Sequence, residues 1–355
     1  MLESTIKHRK IYSNIKHRSQ KETKQNKCFI CGKCTTDFCN SHTIPQFVLR
    51  NIENDGKFEY TMSYDNSNLT NKILGMNEIN IFRIICENCD STLFSDYEDE
   101  SRLLIYPTQK MLHEIALKNT LYNINDTIYY KEINRICREE QFNKNQEIVH
   151  GFELFKTPLD LNLIDHMKEF DRLMNESTDN ESINYKITHW SKLPYVIPIA
   201  FQHNVALNYD MKGNIINDIT NYNKKIKMKS LYICLFPLKY ESIILMFHNK
   251  DDSEYNEFDN QFKELSPEEK HDIIIYIVSK YSELLILNQN IQHKSYVKNT
   301  LGHLFGNYNY AIVDYSPSNG LPVRKYVSNK YELKSLPTIP RVLSEKYAIV
   351  KNISI

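Results

Sequence analysis

The chain has 355 residues, 41% hydrophobic and 25% charged, with 44 basic and 44 acidic side chains. That length suits two or three domains and a core that needs no disulfides. No apolar run approaches the ~18–20 residues of a membrane span, and no hydrophobic stretch follows Lys7, Arg9 and Lys10, so a soluble, cytoplasmic protein is expected.

Zero net charge hides an asymmetry. Residues 1–27 carry a local +6 and residues 316–355 a local +5, leaving −11 on the body between them. Two basic ends on an acidic body suit a polyanion partner held by flexible arms, or a pair of solvated tails.

In chain order, residues 1–27 read as a basic tail or one exposed helix. Residues 28–105 hold six of the eight cysteines and form the first compact unit. Within it, a helix is expected over about 90–104, with Leu93, Phe94, Tyr97 and Leu104 on one face. Pro107 separates it from a second helix over 108–119, facing inward with Met111, Leu112, Ile115 and Ala116. The remainder of 106–185 reads as helical, its clearest stripe being Leu161, Ile164, Met167, Phe170 and Leu173.

Residues 186–315 turn to β-branched and aromatic runs after Pro194 and Pro198. One hairpin is expected where 205–209 and 214–216 flank Asp210-Met211-Lys212-Gly213. A second is expected where 230–236 and 243–248 flank 237–242. Ser266, Pro267 and Glu269 then open a helix with a capping box, burying Ile273, Ile274, Ile277, Tyr281, Leu284 and Leu285. Residues 316–355, with four of the eleven prolines, are expected to run extended over the surface. Cys137 and Cys234 read as core thiols.

The cysteines carry the chemical signal. Three C-x-x-C spacings occur (Cys28/Cys31, Cys31/Cys34, Cys86/Cys89), where chance gives roughly 0.2. Two such turns supply a tetrahedral Zn²⁺ shell, and a chain without a secretory signal favours metal over disulfides. The expected quartet is Cys28, Cys31, Cys86 and Cys89, with Cys34 and Cys39 as spares. The long gap between the pairs requires a segment to loop out, and residues 56–64 look like an extra strand inserted there.

Between the knuckles lie Ser41-His42-Thr43-Ile44-Pro45 and Asn80-Ile81-Phe82-Arg83-Ile84-Ile85, then Cys86-Glu87-Asn88-Cys89-Asp90 opening a helix. This order resembles the zinc-knuckle HNH (ββα-metal) endonucleases over about residues 28–100. The resemblance implies a structural zinc and a general base at His42, which takes a proton from the water attacking a phosphodiester. It implies Asp90 as ligand of a catalytic Mg²⁺ or Mn²⁺, and Asn80 as the residue that orients the loop. Ser41 stands where the family usually has an acidic or His ligand; Asp37, four residues back, or Glu98 could compensate.

The expected fold is therefore α+β: an N-terminal zinc-stabilised ββα finger, a helical middle, and a C-terminal antiparallel-sheet-plus-helix domain. The expected activity is metal-dependent hydrolysis or nicking of DNA, in a layout resembling bacterial and phage-defence effectors. The expected partner is nucleic acid, DNA before RNA and no membrane, with a second copy or a regulatory partner at the C-terminal domain. The rival expectation is a zinc-stabilised nucleic-acid-binding or regulatory protein without turnover, favoured by Ser41.

Overall fold

The computed structural model describes residues 13–33, 36–60, 73–141, 146–176, 184–218, 225–282, 284–304, 310–315, 322–326 and 329–349. It mixes helix and sheet, as the α+β expectation requires. Its centre is a seven-stranded sheet, ordered β3-β2-β9-β6-β7-β8-β5. These strands are β2 (Lys57–Tyr60), β3 (Ile73–Gly75), β5 (Tyr185–Leu193), β6 (Ile199–Val205), β7 (Leu231–Pro237), β8 (Ser242–Asn249) and β9 (Ile286–Leu287), and every pairing is antiparallel.

Side-chain alternation explains why the sheet is covered on both faces. On β7, Tyr232, Cys234 and Phe236 join one apolar cluster, while Leu231, Ile233 and Leu235 join another. β8 divides in the same way, with Ile243, Leu245 and Phe247 on the first face and Ile244 and Met246 on the second. The first face packs on the cysteine-rich segment and on Met111, Leu112, Ile115 and Ala116 of α5 (Gln109–Gln141). The second packs on α7 (Tyr255–Lys263), α8 (Pro267–Tyr281) and α9 (Lys294–Leu304). α6 (Gln146–Asn175) lies along α5 and adds Leu173 to the first cluster.

Several expected elements are present. The hairpin of β7 and β8 turns at 238–241, closed by Leu238 N–H to Glu241 O at 2.8 Å. Ser266 caps α8 with both bonds of the capping box, and Pro267 is its first residue. Cys137 and Cys234 are buried. Within the expected strand at 56–64, β2 forms; residues 61–64 lie outside the described residues.

Other expectations need correction. The single helix over 90–104 is two short ones, α3 (Glu87–Leu93) and α4 (Glu100–Leu103). Glu114 of α5 accepts the Asp96 and Tyr97 amides between them, and Asp99 caps α4, so the backbone is satisfied without one helix. Conversely, the helix expected over 108–119 continues to Gln141, because Leu121, Ile124, Ile133 and Ile136 prolong its buried stripe. The 210–213 turn closes only a bridge, Tyr209↔Ile215, and the long strand starts earlier, at Ile199.

Of the two readings of the N-terminal segment, tail or helix, its described part takes the helix, while the described part of the C-terminal segment packs into the core instead of running over the surface. Residues 13–22 are helical (α1); Ile15 packs on Ile133, Ile136 and Cys137 of α5, while Arg18 pairs with Glu140 and Arg135 with Glu22. At the other end, β11 (Pro322–Tyr326) pairs with β10 (Tyr310–Tyr315), and Leu333, Ile339, Val342, Leu343 and Tyr347 are buried in the second cluster. Extended chain there is core, because its apolar side chains have a helical layer to fill. Residues 1–12 and 350–355 lie outside the described residues.

The insert between the knuckles joins the sheet that the C-terminal half builds, so the boundary expected at 186 is crossed by strands: Glu59↔Leu287 and Tyr60↔Ile286 pair β2 with β9. Glu59 is fully buried and forms ion pairs with Lys294 and Lys298 of α9, Lys298 lying at 2.5 Å. Breaking a buried pair from one side strands the other charge. Glu59→Ala is therefore expected to cost about 3 kcal/mol or more, and Lys294→Ala, at the exposed end, less than about 1 kcal/mol. Urea unfolding of the two variants reads the difference.

Candidate metal centre and adjoining polar site

Two turns bring the cysteines together. In the first, Gly32 takes φ +69°, a left-handed conformation that glycine accepts freely, and its N–H reaches Cys28 O at 2.9 Å. In the second, Cys86 is the N-cap of α3, so Cys86 and Cys89 sit on its opening turn. The segments are stitched by Phe29 N–H to Ile84 O at 2.8 Å and by Cys86 N–H to Cys28 Sγ at 3.3 Å. The Sγ atoms of Cys28, Cys31, Cys86 and Cys89 all lie within 4.8 Å of one another, a set able to hold a metal ion such as zinc.

The chemistry of the set agrees. Tetrahedral thiolate sites have Zn–S bonds of about 2.3 Å, which such a spacing accommodates. Burial opposes charge on Cys28, but the amides of Cys31, Cys86 and Ile30 hold its thiolate, bringing the pKa down to about 6. Cys39 stays outside the quartet: its thiol donates to Ile85 O at 3.6 Å, and burial, then the Asp90 carboxylate, push it up to about 12. Cys34 lies outside the described residues.

Beside this centre, β1 (Ser41–His42) pairs antiparallel with β4 (Ile81–Phe82), and α3 follows within five residues. Asn80 takes φ +47° just before β4, a left-handed conformation Asn tolerates well, and its carbonyl accepts the Thr43 N–H at 3.0 Å. The loop after His42 is thereby tied to the turn before β4. The buried Tyr97 hydroxyl adds a bond to Thr43 O at 3.3 Å.

His42 is 4% exposed. Its Nε2 lies 2.8 Å from Met76 O, a pure acceptor, so Nε2 carries the proton. Nδ1 is then the basic nitrogen, and it accepts from the exposed Gln46 side chain at 3.2 Å. Burial lowers the His42 pKa, and the Lys118 ammonium adds to the effect, so the ring is neutral near pH 7.

Asp90 lies in the first turn of α3, where Ser41 Oγ donates to its Oδ1 at 2.5 Å. The same oxygen is 3.4 Å from Lys118 Nζ, and Lys118 also pairs with Glu98. Glu98, expected two turns into a helix, stands between α3 and α4 instead. Burial raises its pKa, with Lys118 opposing. Asp37 is exposed; it accepts from Thr36 Oγ1 at 3.2 Å, and its carbonyl takes the Glu87 N–H.

The structure thus gathers Ser41, Asp90 and Glu98 around one ammonium, with His42 close enough to feel both Asp90 and Lys118. The donor set does not fit a hydrolytic divalent cation in this arrangement. Lys118 already stands against both carboxylates, and among the described residues the quartet is the only group of three or more His, Cys, Asp or Glu donors positioned to share an ion. Reading the sequence missed Lys118. Its signal was there: at i+3 from Ile115 and i+7 from Met111, it is a lysine on an apolar stripe.

No family model matches the chain, and no curated protein or solved structure matches it either. Among the described residues no helix is long and apolar enough to cross a membrane.

Protein purified without added metal is expected to carry about one zinc per chain by mass spectrometry of the metal content. Cys89→Ser should abolish that stoichiometry and lower the melting temperature, because in small zinc modules metal binding supplies folding free energy.

Proposed function

We propose that the chain is an HNH-like endonuclease acting on DNA, with residues 28–105 as a ββα finger whose strands and helix are pinned by a structural zinc on Cys28, Cys31, Cys86 and Cys89. The observation that carries this reading is the state of His42. Met76 fixes its tautomer through Nε2–H and leaves the basic Nδ1 beside an exposed side chain. A neutral imidazole held in this way can take the proton of a water attacking phosphorus once Gln46 yields its place.

The other residues act by position. Asn80 ties the loop behind His42 to the turn before β4, and Ser41 and Lys118 hold Asp90. The basic chain ends would add phosphate contacts that carry no sequence preference and weaken with salt. Lys118 stands against Asp90 and Glu98, where the resemblance implies Mg²⁺ or Mn²⁺.

A zinc-stabilised nucleic-acid-binding or regulatory protein is the second reading. The cap of Gln46 on Nδ1 and the closed cluster at Asp90 favour it.

Plasmid nicking separates the two readings. His42→Ala is expected to lower the rate by about 100-fold or more while DNA binding by gel shift persists. Gln46→Ala, which uncovers the base, should retain activity. Equal nicking by wild type and His42→Ala refutes the assigned base, and binding without nicking in every protein establishes the second reading.

A further inference from the structure

Lys118 is 1% exposed, an unusual place for an ammonium. It is held on every side that the contacts describe. Asp90 Oδ1 lies 3.4 Å away, Glu98 pairs with it directly, and the Phe94 and Tyr97 rings present their faces at 4.4 and 5.7 Å from ring centre to nitrogen. Phe94 and Tyr97 belong to the segment between α3 and α4, whereas Lys118 comes from α5. The helical middle of the chain therefore reaches into the finger with a single positive charge. Carboxylates on two sides and aromatic faces on another make a cation cage, and its occupant is covalently attached.

We infer that Lys118 is the resident cation of this site, and that its ammonium excludes Mg²⁺ and Mn²⁺ from Asp90 and Glu98. An octahedral ion needs oxygen donors on all sides and retains several waters. Here Asp90 Oδ1 is already committed to Ser41 and Lys118, and Glu98 to Lys118. A divalent ion entering beside Lys118 would meet a like charge at contact distance. Lysine suits the role because its charge is compact and carried on a flexible stem that can be threaded through a core. Lys118 is in this sense a positioning residue: it neutralises Asp90 and holds the start of α3 against α5. The inference rests on the proposed site only for its location and not on DNA cleavage.

The test uses full-length, zinc-loaded protein, so that the thiolates are occupied, and titrates Mn²⁺ while the electron paramagnetic resonance signal of the free ion is followed. Wild type is expected to show no stoichiometric Mn²⁺ site. Lys118→Met should acquire one at least about tenfold tighter than any binding in wild type. The further change Asp90→Asn should remove it. Circular dichroism verifies the fold, and Lys118→Gln, whose amide can still hydrogen-bond without charge, carries the test if Lys118→Met does not fold.

A stoichiometric Mn²⁺ site in wild type that Asp90→Asn abolishes overturns the inference. So does a folded, uncharged variant that binds Mn²⁺ no better than wild type. Nicking is not the readout, so failure of the nuclease reading leaves this outcome unaffected.

Discussion

Two cysteine turns lie 54 residues apart in sequence and meet at one point in space, and the first face of the molecule depends on that meeting. Cys28 and Cys31 bring the start of the cysteine-rich segment to the opening turn of α3, and the Phe29–Ile84 and Cys86–Cys28 hydrogen bonds lock the same junction. With that point fixed, β1 falls beside β4 and Asp90 comes within reach of Ser41. The elements involved are too short to hold one another: β1 and β4 have two residues each and α3 seven. Pairing of this length contributes little, and an ion held by the four sulfurs would supply the cross-link that so small a unit lacks.

The same gap that separates the knuckles also binds the two halves of the chain. The segment between them forms β2 and β3, which extend the central sheet beyond β9. Glu59 then anchors that extension to α9 from within. On the other side, α5 packs on both the cysteine-rich segment and the sheet, giving Met111, Leu112 and Ile115 to the shared cluster and Asn123 to a 2.7 Å bond with Asn204. The polar site therefore rests on a rigid frame: its two short strands and helix are backed by a 33-residue helix, itself packed on the sheet. An imidazole or a carboxylate held on such a frame keeps its position closely.

Charge organises the site as much as packing does. Asp90 and Glu98 are carboxylates that meet on one ammonium, and burial opposes ionisation of Glu98. Lys118 relieves both, and its field reaches His42, which stays neutral. The imidazole is held as a base by Met76 and screened by Gln46. This arrangement keeps a proton acceptor and an acidic cluster together without placing two like charges in contact.

How much of this is legible before folding depends on the range of each interaction. Short-range signals were readable: the paired cysteine spacings, the Ser266 capping box, the β7–β8 hairpin and the buried thiols Cys137 and Cys234 all follow from residues close in sequence or from burial propensity. His42, Asp90 and Asn80 were singled out by the order of residues around the knuckles; Asp90 follows Cys89 in α3, and His42 stands on β1, which pairs with β4 just after Asn80. What the chain alone did not disclose depends on contacts between distant segments. The break between α3 and α4 relies on Glu114 from another helix, and the burial of Leu333 to Tyr347 relies on a helical layer waiting to be filled. Membership of β2 in the C-terminal sheet relies on β9, and the occupant of the Asp90–Glu98 cluster on Lys118 of α5. Local chemistry determined which residues can bind, cap or turn. Only tertiary packing decided which charge stands against which, because electrostatic partners in a core are chosen by proximity in space and leave no periodic trace along the chain.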